Sequence, residues 1–233
     1  MITRAEAGKL GALHVVEPTM LSLYLAVPPP PAESSVLAAR ADELIAAAQA
    51  AGRVTVAERD RNSVREKLAA RRWPGPAVAV FACADIGLLE AIPLPCPVPE
   101  RAVLGTRPHI RPLLAALDPG PRARRLADEI LGTPPGGLAA VGLTACLAAV
   151  NAGAVAALVV PVDGLVPGYE CGRCGALGTD ADGCPDWGTA PLPVPDVIEE
   201  MVSRTLEDGG EVWVVRDGSS PVAARLYFPV APP

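Results

Sequence analysis

Leu138-Ala-Ala-Val-Gly-Leu-Thr-Ala-Cys-Leu-Ala-Ala-Val-Asn-Ala-Gly-Ala-Val-Ala-Ala-Leu-Val-Val160 decides the fold class of this chain. The apolar run predicts a helix from about Leu138 to Asn151, with Gly153 as its left-handed stop. Ala154 to Val160 is then continuously apolar, as expected for a strand covered on both faces. A helix, a glycine stop and a doubly covered strand in succession are the signature of an α/β fold.

The elements on either side agree. Downstream, Asp196 is placed to cap a helix in which Val197, Ile198, Met201, Val202 and Leu206 recur at helical spacing. Gly209-Gly210 ends it, and Glu211 to Val215 and Ala223 to Phe228 read as strands. Gly168 to Gly188, rich in Gly, Cys and Asp, reads as a loop. Upstream, Thr3-Arg-Ala-Glu6 has capping-box spacing and predicts a short first helix. Met20 to Val27 is a buried strand ended by the prolines at 28–31. Ser34 or Ser35 can cap a helix to about Ala51, Thr55-Val-Ala-Glu58 is a second capping box launching a charged helix to about Ala70, and Pro74 breaks it. Ala77 to Ala82 and Leu88 to Ile92 are two further strands. Arg122 to Leu131 predicts a short Arg-rich helix.

Asp118-Pro-Gly-Pro121 forbids regular pairing across it and sets a boundary between residues 1–118 and 119–233. The two halves differ in charge: 13 basic and 12 acidic side chains (net +1) against 7 basic and 14 acidic (net −7). Phosphate neutralisation needs a concentrated cationic surface, so an RNA contact is expected in the first half only, and DNA binding is not expected. Six cysteines in 233 residues do not make a disulfide framework, and no apolar leader or stretch of bilayer length is present. A reduced, cytoplasmic setting without membrane contact is expected.

Several segments carry a family resemblance. Leu21-Ser-Leu-Tyr-Leu25, Val80-Phe-Ala82, Pro93 to Val98 and Arg107-Pro-His-Ile-Arg-Pro-Leu-Leu114 resemble the N-terminal domain of bacterial relatives of the archaeal-type class 1 peptide release factors, whose kin include Pelota and the Vms1-type peptidyl-tRNA hydrolases. Ala149-Val-Asn-Ala-Gly-Ala-Val155, Leu158-Val-Val160, Pro167-Gly-Tyr-Glu-Cys-Gly-Arg-Cys-Gly175, Cys184-Pro185 and Val194-Pro-Asp196 up to Gly209-Gly210 are similar to that family's third domain. The resemblance implies a release-factor-like N-terminal α/β domain joined to an L7Ae-like α/β/α layered domain. In the family a middle domain bearing a Gly-Gly-Gln or related tripeptide follows the equivalent of Leu113 to Asp118. Here the two matches nearly abut, and Gly136-Gly137 precedes Leu138 rather than Gln. Peptidyl-tRNA hydrolysis is therefore not expected.

Cys171-Gly-Arg-Cys174 is half of a zinc knuckle. The family's second half is Cys-Pro-x-Cys-Gly, whereas this chain has Cys184-Pro-Asp-Trp-Gly188, with Trp187 at the fourth ligand's position. Two readings stay open: a structural zinc held by Cys171, Cys174 and Cys184 with Asp186, Asp182 or water as fourth ligand, or a degenerate loop of three reduced thiols. Cys83, Cys96 and Cys146 sit in apolar contexts and read as small core residues.

Residues 53–72 are net +4, and Arg61, Arg65 and Arg72 fall on one face of the predicted helix, able to meet ribosomal RNA phosphates. The alternative is a solvated face laced by ion pairs within the helix. Pro108-His-Ile-Arg-Pro112 reads as a rigid turn offering His109 and Arg111 to a partner, or as a structural one. No nucleophile elbow, phosphate-binding loop or dinucleotide fingerprint occurs. The expected function is that of a non-catalytic binding protein resembling release, rescue or hibernation factors. Its first half would face ribosomal RNA, and its acidic second half a translational GTPase or ribosomal protein. The alternative is a stand-alone interaction or regulatory module that no longer binds ribosomes.

Overall fold

Both sides of the first predicted strand are buried, and its alternation shows why. In this computed structural model, which describes residues 2–17, 19–29, 34–52, 55–118, 121–134, 137–182, 184, 188–216 and 221–230, the chain divides into two units, Met1–Pro119 and Gly120–Pro233. In the first unit β1 (Met20–Ala26) is an inner strand of an antiparallel sheet with β2 (Ala77–Cys83), β3 (Leu88–Leu94) and β4 (Arg101–Gly105), in the order β3-β2-β1-β4. Leu21, Leu23 and Leu25 lie opposite Ala82, Val80 and Val78. They join the core formed with Leu37, Ala41 and Ile45 of α2 (Ser34–Gly52) and Val64 and Leu68 of α3 (Glu58–Ala69). Each such leucine removed from water contributes about 2 kcal/mol. The alternate residues are buried as well: Met20 packs with Val15 and Cys83, and Tyr24 stands edge-on to Phe81 at 6.0 Å.

The first capping box forms as predicted. In α1 (Arg4–Gly11) the Thr3 hydroxyl accepts the Glu6 N–H at 3.2 Å, and the Glu6 carboxylate accepts the Thr3 N–H at 2.7 Å. The second does not form: α3 starts at Glu58, with Ala57 at its N-cap and no side-chain cap. Val56 is buried in the core, and placing it there keeps residues 55–57 out of the helix. Ser34 is the first helical residue of α2 rather than its cap. β4 and α4 (Arg111–Leu117) were not expected from the sequence. The turn read at Pro108–Pro112 instead opens that helix, with Pro112 in its first turn where no N–H is needed.

In the second unit β6 (Val155–Pro161) runs parallel to β10 (Glu211–Val215) and antiparallel to β11 (Ala223–Leu226), in a sheet ordered β10-β6-β11-β5 with β5 (Ala139–Val141) at its edge. α5 (Arg122–Leu131) has the predicted bounds and sets Ala123, Ala127 and Ile130 on Val159, Val215 and Ala223. α6 (Leu143–Asn151) and α7 (Val197–Glu207) pack on each other and on the strands. β6 is thereby covered on both faces, which its unbroken apolar run requires. Asp196 caps α7 as expected, accepting the Ile198 N–H.

Two expectations here are corrected. The helix predicted from Leu138 begins only at Leu143, because residues 139–141 complete the sheet by pairing with β11, and the Gly142 N–H donates to the Val222 carbonyl. The segment read as a loop from Gly168 carries β7 (Gly168–Glu170) and β8 (Leu177–Gly178), which with β9 (Leu192–Val194) form a small antiparallel sheet in the order β8-β7-β9. Among the described residues no helix is long and apolar enough to cross a membrane.

Candidate functional site

The small sheet presents a turn that occurs twice. In the first copy the Cys171 N–H donates to the Ala176 carbonyl at 2.8 Å, and the Gly175 N–H returns to the Cys171 carbonyl at 2.7 Å. In the second the Cys184 N–H donates to the Thr189 carbonyl at 3.2 Å, and the Gly188 N–H returns to the Cys184 carbonyl at 2.7 Å. Each glycine is left-handed, at φ +72° and +59°. The two hydrogen bonds and the left-handed glycine of the first turn thus recur around Cys184, although Trp187 stands in sequence where Cys174 stands in the first copy.

The twin turns converge three sulfurs. The Sγ atoms of Cys171, Cys174 and Cys184 all lie within 4.8 Å of one another, Cys174 and Cys184 at 3.4 Å. A tetrahedral zinc with Zn–S bonds of about 2.3 Å holds its sulfurs about 3.8 Å apart, so the trio fits three corners of such a site. Cys171 is prepared as a ligand. Its sulfur lies 3.2 Å from the Thr189 hydroxyl, which, together with the backbone N–H groups of Cys174 and Arg173, holds the thiol down to about 6. Hydrogen bonds to the anion favour the thiolate. At Cys174 the Ala176 N–H acts in the same direction, but the neighbouring Cys184 sulfur, burial and the Cys171 sulfur prevail and raise it. For the fourth corner, Asp182 is exposed nearby in sequence, while Asp186 and Trp187 lie outside the described residues.

Two side chains outside the turns fix their position. The Asn151 amide, at the end of α6, makes a paired bridge to the backbone of Leu177: its Nδ2 donates to the carbonyl and its Oδ1 accepts the N–H, both at 2.8 Å. Arg204 of α7 lies 3.8 Å from the Glu170 carboxylate and beside Gly175, where an added Cβ would collide with its guanidinium. The sequence pointed to Asn151 only as part of a motif. Nothing in it identified Thr189 or Arg204, whose roles depend on folding.

The expected RNA face is changed in two ways. Arg61 and Arg65 both turn to Asp42 of α2, at 3.7 Å and 2.6 Å, and Arg65 also donates to Asn62. The ion pairs are made between helices rather than within one. Arg72 lies beyond the end of α3, so it does not extend the face, although it is exposed. His109 and Arg111 are not offered to solvent, being 1% and 0% exposed. The His109 N–H donates to Ser22 Oγ at 2.8 Å, its carbonyl accepts the Tyr24 hydroxyl at 2.6 Å, and its Nε2 is 3.4 Å from Arg111 Nη2. Cys83 and Cys146 are buried as expected, and burial pushes the Cys146 thiol up to about 12. Cys96 is only partly buried, its sulfur 3.8 Å from the Ala116 carbonyl.

No family model matches the chain, and no curated protein matches it. Among solved structures it is similar to the C-terminal domain of a peptide chain release factor from Methanosarcina mazei, at 20% identity over 46% of this chain and 80% of that one, with a TM-score of 0.32. It is also similar to an archaeal translation termination factor, at 12% identity over 97% and 99% of the two chains and a TM-score of 0.29. A third similar structure, described as an archaeal protein, shares 12% identity over 99% of both chains, with a TM-score of 0.27.

Proposed function

We propose that this chain is a non-catalytic, translation-associated binding protein of the release, rescue or hibernation type. The observation that supports it most is the twin turn. Residues that resemble the third domain of archaeal-type release factors carry two turns with matching backbone hydrogen bonds around Cys171 and Cys184, with the Asn151 of the same motif bridging to Leu177, which is in keeping with the knuckle of that resemblance. The L7Ae-like reading of residues 119–233 is in keeping with helices packed on a sheet whose central strand is doubly covered.

Cys171, Cys174 and Cys184 would hold one zinc, with Asp186, Asp182 or water at the fourth position. The ion would staple two turns together and supply no chemistry to a substrate. A partner for the second unit is a basic protein surface, such as a translational GTPase or ribosomal protein. Asp180 and Asp182 beside the knuckle and Glu207, Asp208 and Glu211 around the end of α7 are exposed. Peptidyl-tRNA hydrolysis is not part of the proposal, and cleavage of peptidyl-tRNA by the purified protein in a ribosome reaction would overturn the non-catalytic reading. The proposal takes a reducing, cytoplasmic setting, which suits cysteines that are not paired in disulfides.

One observation favours a second reading. Asp42 already occupies Arg61 and Arg65, which leaves less free charge for RNA than the sequence promised and suits a stand-alone protein-interaction module. Sucrose-gradient co-sedimentation with ribosomes separates the two. Retention at physiological salt supports the translation factor, and loss at both low and physiological salt supports the module.

A further inference from the structure

We infer that Cys174 and Cys184 are a peroxide-oxidised pair, a modification site that closes to a disulfide when no metal holds the trio. The relevant arrangement is already present. The two sulfurs are 3.4 Å apart, and an S–S bond of roughly 2 Å requires them to close by a little over an ångström. Cys174 is exposed and open to a small oxidant, while Cys184 is buried behind it as the resolving thiol. Cys171 is buried away from the oxidant, and its sulfur lies 3.2 Å from the Thr189 hydroxyl.

The chemistry balances with hydrogen peroxide as oxidant. The Cys174 thiol takes one oxygen to become a sulfenic acid, the O–O bond breaks, and one water leaves. The Cys184 sulfur then attacks the Cys174 sulfur, the S–O bond breaks and a second water departs, so the two sulfurs give up two electrons in all and the peroxide accepts them. With Trp187 at the fourth cysteine's place in the sequence, only three sulfurs would hold a metal, and its fourth ligand would be a carboxylate or water, a weaker hold than four thiolates. The metal-free state is reached more readily from such a site, and in it the pair is free to oxidise. Metal loading and the disulfide exclude each other, because both use the same two sulfurs.

The inference is independent of ribosome binding, and its test does not involve ribosomes. The metal-free, full-length protein is treated with hydrogen peroxide, the remaining thiols are alkylated, and the protein is cut with trypsin. Cleavage after Arg173 separates Cys171 from a peptide running to Arg204 that contains both Cys174 and Cys184. The expected product is this peptide lighter by two hydrogens and unalkylated, formed equally in a Cys171→Ser variant and absent in Cys184→Ser. Protein preloaded with zinc is expected to oxidise at least tenfold more slowly. A peptide alkylated at both cysteines, a cross-link to the peptide carrying Cys171, or oxidation unaffected by zinc would overturn the inference.

Discussion

Gly175 and Gly188 occupy the same place in two successive turns, each left-handed and each donating its N–H at 2.7 Å to the carbonyl of the cysteine four residues before it. Their surroundings differ. Alanine at Gly188 meets nothing within 4 Å, so its cost is the left-handed backbone alone, about 1 kcal/mol. Alanine at Gly175 carries the same cost and also drives its Cβ into the Arg204 guanidinium, disturbing the Arg204–Glu170 pair. Denaturant unfolding is expected to rank Gly175→Ala as clearly the more damaging, and equal losses would contradict the described packing.

The Thr189 hydroxyl gives the knuckle a pH dependence with a definite sign. Cys171 is held near about 6 in the fold and returns to an ordinary thiol value of about 8.5 on unfolding. A lowered folded value contributes stability that is complete above the unfolded one and lost as the pH falls through about 6. The metal-free protein should therefore lose stability on acidification from about 8.5 to about 6. In Thr189→Val the main cause of the shift is gone. Thiolate absorbance titration is expected to show a group near 6 in the native protein moving up in the variant.

Asn151 ties α6 to the small sheet through both polar groups of a backbone unit that is itself buried. Asn151→Ala leaves the Leu177 N–H and carbonyl without this partner, a loss of about 2 kcal/mol. Hydrogen exchange at Leu177 should accelerate while the strands β6 and β10 stay protected. Unchanged exchange would show that the bridge does not hold the sheet.

Asp42 controls how much of α3 is available to phosphate. Asp42→Ala releases Arg61 and Arg65 and, because both pairs are partly exposed, costs no more than about 1 kcal/mol of stability. If the first unit touches ribosomal RNA through this face, the bound fraction rises and the salt dependence steepens by about one to two phosphate contacts. Binding that ignores the substitution would move the contact to another surface.

What the sequence revealed follows from how local each signal was. The Thr3–Glu6 capping box, the Asp196 cap, the Gly153 stop and the bounds of α5 depend on neighbours within a turn, and they came through. The Thr55 box had the same local signal and lost to a tertiary one, the burial of Val56. Ala139 to Val141 is apolar enough for a helix and was taken by the open edge of β11, which periodicity does not reveal. The cysteine spacing pointed to the three sulfurs that the fold brings within 4.8 Å of one another. The resemblance marked Cys184 to Gly188 as the second half, but that its hydrogen bonds and left-handed glycine match those of the first turn is a property of the folded backbone and not of residue identity. Arg61 and Arg65 read as a cationic face because their partner lies on another helix.

Whether this chain works on the ribosome, as proposed, is decided by sedimenting the purified protein with ribosomes from its own source through sucrose gradients at low and physiological salt. The account predicts that the protein stays in the ribosomal fractions at physiological salt. Recovery of all the protein at the top of both gradients would contradict it.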